Sequence, residues 1–218
     1  RQSGLTGDLE SRIVFEPEFS NPDAVRGIEE FSHLWLIWEF SEAKRTKWSP
    51  TVRPPRLGGN VRKGVFATRS PFRPNSIGLS CVKLVKVSLD EPDSPVIYIE
   101  GADLMNGTPI FDIKPYIPYA DCHPEATGSF AEFSKDYHLN VEFPPELLEK
   151  IPQESRKALL AVLADDPRPA YQNDPERSYG MPFGDKDIHF RVNGDTLYVH
   201  DVTDFVKKQR ESASDCEK

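Results

Sequence analysis

Several common catalytic signatures are missing from this chain of 218 residues. Its three cysteines, Cys81, Cys122 and Cys216, are odd in number, widely spaced and form no Cys-x-x-Cys. That pattern argues against a disulfide frame or a cysteine zinc site and agrees with a reducing cytoplasm. His33, His123, His138, His189 and His200 include no His-x-x-x-His pair, so no metal is expected. No Gly-x-Ser-x-Gly elbow offers a hydrolase nucleophile. Gly58-Gly59 is the one glycine pair, and the Asn-Val-Arg-Lys-Gly-Val-Phe66 after it does not read as a helix, which removes a Rossmann or P-loop phosphate site. No apolar run approaches the roughly 20 residues that cross a bilayer.

Carboxylates are also missing from one long stretch. Between Ala43 and Leu89 there are eleven Lys and Arg and no Asp or Glu, although the chain as a whole carries 27 basic and 35 acidic residues and a net charge of −8. The stretch holds Arg53-Pro-Pro-Arg56, Leu57-Gly-Gly-Asn60 and Arg69-Ser-Pro-Phe-Arg-Pro-Asn75. A charge run by itself is as often a solvated face as a site. Cations set among Gly, Pro and aromatics instead suit phosphates or another electron-rich ligand. Pro71 and Pro74 stiffen the loop carrying Arg69 and Arg73, which lowers the ordering cost of aiming those guanidiniums.

Twenty prolines and thirteen glycines favour short strands and turns. Strands are expected at Ile13 to Phe19, His33 to Phe40, Val65 to Thr68, Leu79 to Val87, Val96 to Glu100 and Ile110 to Pro115, with a turn at Asp90 to Pro95. Leu34 to Trp38 is almost continuously apolar, as in a strand covered on both faces. The lysines at 83 and 86 break the alternation of their strand. Many short strands and no long helix before Phe143 point to a β sandwich or barrel. Asp121 to Ser134 reads as a linker or crossing loop, Pro144 to Asp165 as helical, and Ile188 to Val192 with Thr196 to Val202 as a hairpin across Asn193-Gly-Asp. The expected fold is therefore mainly β: a β sandwich or barrel over 1–138, a small α+β domain over 139–206 and a disordered tail over 207–218. Arg1 in place of Met suggests that the numbering begins inside a longer product.

Asp103-Leu-Met-Asn-Gly-Thr-Pro-Ile-Phe-Asp-Ile-Lys-Pro115 gathers Asp103, Asp112 and Lys114 around a tight turn and a strand. Such carboxylates suit a cationic ligand or a proton-accepting role, and Asp112 with Lys114 equally suits an ion pair at a strand end. Together with Phe31-Ser-His-Leu-Trp35, Arg53 to Asn60, Gly64 to Asn75 and Asp165-Asp-Pro-Arg-Pro-Ala-Tyr171, these strings resemble the TsaA/TrmO family over nearly the whole chain. The resemblance implies a non-Rossmann β-barrel, generally a homodimer. It implies methyl transfer from S-adenosylmethionine to N6 of N6-threonylcarbamoyladenosine at tRNA position 37. It places the cofactor at Arg1, Gln2, Ser41, Glu42, Arg69, Leu79, Gly101, Ala102 and Asp103. Ser41-Glu42 stands where some relatives carry His-Gln. Asp103 or Asp112 is expected to accept a proton or orient the base, with Lys114 holding the geometry. Arg53, Arg56, Arg62, Lys63 and Arg73 are expected to contact RNA, and Arg168 and Tyr171 to read the anticodon arm. A non-catalytic RNA-binding barrel, and a methyltransferase of another small acceptor, are the competing readings.

Overall fold

The computed structural model describes residues 9–43, 47–54, 61–129, 138–168 and 174–205. The long apolar string becomes β2 (His33–Glu39), which pairs antiparallel on one edge with β5 (Ile77–Ser88) and on the other with β7 (Ile110–Pro115). β6 (Val96–Glu100) follows on the far side of β5, and β1 (Glu10–Val14) pairs with β6. The order is thus β1-β6-β5-β2-β7. Every pair in this sheet is antiparallel, an arrangement that needs no crossover helices.

Alternation gives the sheet two unlike faces. Leu34 and Leu36 of β2, Val82 and Leu84 of β5, Ile97 and Ile99 of β6 and Ile13 of β1 form one buried cluster. Val25 and Ile28, from the short turns after β1, close over it. Ser80 is the buried polar residue of this face, and the Trp38 indole N–H donates to its hydroxyl at 3.0 Å. The same indole lies directly on Gly78, where a Cβ would collide with the ring.

Two β-bulges correct the simple alternation. One falls between Leu84 and Lys86, so Lys83 opposes Glu100 and Lys86 opposes Tyr98, two positions on the same face of β6. Lys83 then bonds Glu100 at 2.9 Å, and Lys86 sits 4.3 Å from the centre of the Tyr98 ring. The lysine spacing that looked irregular in sequence is the imprint of one extra residue. The second bulge separates Ile37 from Trp38 on the β7 side, placing Asp112 opposite Ile37 and Ile110 opposite Trp38.

The expected barrel is not closed among the described residues. β1 and β7 form the edges of the sheet, and no pairing joins them. Among the described residues, the only other strands before Cys122, β3 (Thr51–Val52) and β4 (Lys63–Gly64), have two residues each and pair with each other. Val65 to Thr68 is also not a strand: Val65–Ala67 is a 3-10 turn, closed by the Thr68 amide and hydroxyl, both donating to the Val65 carbonyl. The strand expected over Ile13 to Phe19 ends at Val14, with Pro17–Phe19 forming another 3-10 turn. Asp121 ends a one-turn helix, α1 (Pro118–Asp121), rather than opening a linker.

The C-terminal part has its own core. Helical residues α2 (Pro145–Leu148) and α3 (Gln153–Ala164) precede β9 (Tyr179–Phe183), β10 (Lys186–Asn193) and β11 (Thr196–Asp204). β8 (Asn140–Glu142) adds a parallel edge to β11, giving the order β8-β11-β10-β9. Leu159 and Leu163 of α3 pack with Ile188, Phe190, Leu197 and Val199 in one cluster. The expected tail lies outside the described residues. No described helix is long and apolar enough to cross a membrane.

Gly78→Ala forces the added methyl into the Trp38 ring. It is expected to lower stability in chemical denaturation by about 1–3 kcal/mol. Gly64→Ala, whose methyl meets no atom within 4 Å, is expected to stay within about 0.5 kcal/mol of the unaltered chain.

Candidate functional site

The outer face of the N-terminal sheet carries three of the residues that the sequence singled out, Leu79, Asp112 and Lys114. β2 sits between β5 and β7, so Leu79, Ile37 and Asp112 form one row straight across three strands. Cys81, Trp35 and Lys114 form the next row. Leu79 is half-exposed, and Asp112 is open to solvent. Ile37 was not picked out from sequence, because only the register reveals that it links the other two.

Lys114 lies two residues along β7 from Asp112 and on the same face, with its Nζ 3.0 Å from Asp112 Oδ2. The Lys114 hydrogen bond and the Ile113 amide hold the Asp112 carboxyl below its ordinary range, outweighing desolvation. A carboxylate stabilised this way is a weaker proton acceptor and a more persistent negative charge. Beside this pair the Trp35 indole donates to Asp121 at 3.0 Å, and the Ile117 amide donates to the same oxygen at 2.8 Å. These two donors hold Asp121 ionised, the backbone amide contributing most. They also fix Trp35 against Tyr116, at 5.8 Å between ring centres.

Ser41 and Glu42 lie in the 3-10 turn that ends β2, both exposed. That end of β2 is tied to the start of β5 by the Phe40 amide donating to the Ser76 carbonyl, and to the start of β7 by the Glu39 amide donating to Pro109. Ser41, Glu42 and the entry to Leu79 therefore share one end of the sheet. Gly101, Ala102 and Asp103 leave β6 beyond Glu100, with Gly101 at a φ of +81° that disfavours other residues. Gly101 and Ala102 are buried and Asp103 is half-buried, on the segment that leads to Pro109 and β7. Arg1 and Gln2 lie outside the described residues.

Among the expected RNA contacts, Arg53 follows β3 and Lys63 begins β4, directly paired with Val52. Arg62 donates to the Thr51 hydroxyl at 2.9 Å, and Arg73 donates to the Thr68 carbonyl at 2.8 Å. Arg53, Arg62 and Arg69 are exposed, whereas Lys63 and Arg73 are half-buried. Arg168 differs from expectation. Its side chain is only 8% exposed, and its Nε and Nη2 grip the two oxygens of Asp166 at 2.8 and 2.7 Å. The guanidinium is thus turned inward and already neutralised. Arg56 and Tyr171 lie outside the described residues. Among the described residues, no three His, Cys, Asp or Glu approach closely enough to hold a metal ion.

Comparison with known proteins places this geometry. The tRNA-methyltransferase O N-terminal domain family matches residues 1–122, and the TrmO C-terminal domain family matches residues 136–205. The chain belongs to the TrmO family. It is 42% identical over 200 residues to the tRNA (adenine(37)-N6)-methyltransferase of Escherichia coli, covering 88% of this chain and 85% of that protein. It is 38% identical over 211 residues to a putative S-adenosylmethionine-dependent methyltransferase, RcsF, of Pseudomonas aeruginosa, covering 93% and 89% of the two. A crystal structure of TrmO from Pseudomonas aeruginosa aligns with a TM-score of 0.68 at 31% identity, over 93% of this chain and 89% of that one.

The outer face fits the TrmO cofactor, S-adenosylmethionine, in its donor chemistry. Leu79 and Ile37 present apolar surface in one row with Asp112 of the Asp112–Lys114 ion pair, a mixture of apolar and charged groups of the kind an adenine ring and a sulfonium require. Replacing Lys114 with Met is expected to raise the Asp112 pKa toward the ordinary carboxylate range, read by carbon-13 NMR titration of its carboxyl. The folded-state pKa of Asp112 is depressed, so its contribution to stability is present above the ordinary carboxylate pKa. That contribution fades as pH falls through the depressed value, and Lys114→Met shrinks it by bringing the folded pKa back toward the unfolded one.

Proposed function

We propose that this chain is an S-adenosylmethionine-dependent methyltransferase acting on N6 of adenine 37 in tRNA. The observation that carries the reading is the match to both TrmO domains together with the high identity to tRNA (adenine(37)-N6)-methyltransferases. The finer substrate is N6-threonylcarbamoyladenosine in the anticodon arm, and the active form is a homodimer. Half-exposed Ile77, Leu79 and Phe111 near one end of the outer face give a second copy apolar surface to cover.

When bound, S-adenosylmethionine supplies an electrophilic methyl group on a positively charged sulfur. The residues of the chain have four tasks. Leu79, the Gly101 to Asp103 segment and the Ser41-Glu42 turn hold the donor so that acceptor nitrogen, carbon and sulfur lie in line, the arrangement from which displacement draws most of its acceleration. Asp112 and Lys114, held together as an ion pair, orient the groups around the acceptor. Asp103 accepts the proton lost from N6, whose lone pair is delocalised into the ring and the carbamoyl group; the electron pair left by that proton makes the nitrogen nucleophilic enough to attack the methyl carbon. Arg53, Arg62, Lys63 and Arg73 meet the tRNA backbone, and the acidic remainder of the chain discourages binding elsewhere.

The test is transfer of labelled methyl from S-adenosylmethionine to tRNA that carries or lacks the threonylcarbamoyl group, followed by mass analysis of the nucleosides. Label in N6-methylated threonylcarbamoyladenosine, and none in unmodified tRNA, is expected. Asp103→Asn is expected to cut turnover by about 100-fold or more at saturating substrates. Near-normal turnover in both Asp103→Asn and Asp112→Asn removes the proposed roles. Each of Arg53→Ala and Arg62→Ala is expected to reduce the slope of log affinity against log salt by about one.

A further inference from the structure

Two large aromatic side chains in the carboxylate-free stretch face solvent. Trp48 is 51% exposed and Phe66 is 71% exposed, and their ring centres stand 6.2 Å apart with planes inclined by 37°. They come from different segments, held together in three ways. The Val65 amide donates to the Pro50 carbonyl at 2.9 Å, β3 pairs with β4, and Arg62 reaches the Thr51 hydroxyl. Val65 itself is buried to 1% exposure and anchors the 3-10 turn that throws Phe66 outward. The Arg73 guanidinium lies 5.8 Å from the Phe66 ring centre, steadied by its bond to Thr68.

Exposed aromatic surface of this size is costly to leave in water, and the surrounding stretch supplies cations without carboxylates. A wholly apolar partner would cover the rings but strip water from the arginines without pairing them. An unpaired nucleotide answers both needs, because its base has a flat π face and its phosphate is an anion. We propose that Trp48 and Phe66 form a stacking platform for an unpaired base of the RNA substrate, with Arg62 and Arg73 meeting the phosphates beside it. This assigns to the tRNA site two residues that act by contact with bases, and it rests on the tRNA reading above.

The experiment compares the full chain with Trp48→Ala, Phe66→Ala, the double variant and Trp48→Phe. Labelled tRNA binding is measured at several salt concentrations, with methyl transfer and S-adenosylmethionine affinity measured alongside. Each alanine substitution is expected to raise the tRNA dissociation constant and KM by about tenfold. S-adenosylmethionine affinity and turnover at saturating tRNA stay near those of the unaltered chain. The salt slope is unchanged in these variants but reduced in Arg62→Ala. Trp48→Phe retains most of the binding and abolishes the quenching of Trp48 fluorescence by tRNA. A double variant that binds tRNA within twofold of an unaltered chain that does methylate it overturns the platform and leaves the tRNA reading standing. So does a binding loss that coincides with conversion from dimer to monomer in sedimentation, since a second copy then covers the rings. Failure of the unaltered chain to bind or methylate tRNA overturns the tRNA reading and the platform with it.

Discussion

β2 is hydrogen-bonded along both of its edges, and the candidate site depends on that. Its inner side chains, Leu34 and Leu36, are fully buried, which pins the strand to the core and fixes which side chains point outward. A slip of one residue against β5 or β7 would exchange the faces. Leu79, Ile37 and Asp112 would then no longer share a row, and the Lys114–Asp112 pair would turn into the apolar cluster. The chemistry of the outer face is thus maintained by packing on the inner one.

The bulges are part of the same constraint. Near Ile37 and Trp38 the extra residue lets Ile110 enter the core while Asp112 keeps its place beside Ile37. At Leu84 and Lys86 the extra residue keeps two lysines on one face, where Glu100 and the Tyr98 ring receive them. Bulges bend a strand and re-aim its side chains without removing it from the sheet. Here they allow a strand to serve a hydrophobic core and a charged surface in turn.

Much of this was legible from particular residues. Val96 to Glu100 and Ile110 to Pro115 read as strands and are β6 and β7, because each is a short β-rich run between strong turn signals. Asn193-Gly-Asp marked the β10–β11 hairpin. The motif strings brought the family and, through it, the cofactor and the reaction. Other features depend on contacts distant in sequence. β9 contains Gly180 and Pro182, residues that argue against a strand, and is tolerated as an edge beside β10. β8 is three residues long and exists through its parallel pairing with β11. Val65 to Thr68 has strand-forming residues, yet the Pro50 carbonyl and the Thr68 hydroxyl draw it into a turn. The closeness of Trp48 to Phe66, and the inward turn of Arg168 onto Asp166, likewise leave no periodic signal.

In the function proposed above, the outer face of the N-terminal sheet and the carboxylate-free stretch that includes β5 receive one target adenine. The most direct measurement is photo-crosslinking of the chain to tRNA bearing a photoreactive adenosine at position 37, with the attached peptides identified by mass spectrometry. The account predicts adducts within residues 35–42, 47–79 and 101–114. Adducts confined to residues 138–205 would contradict it.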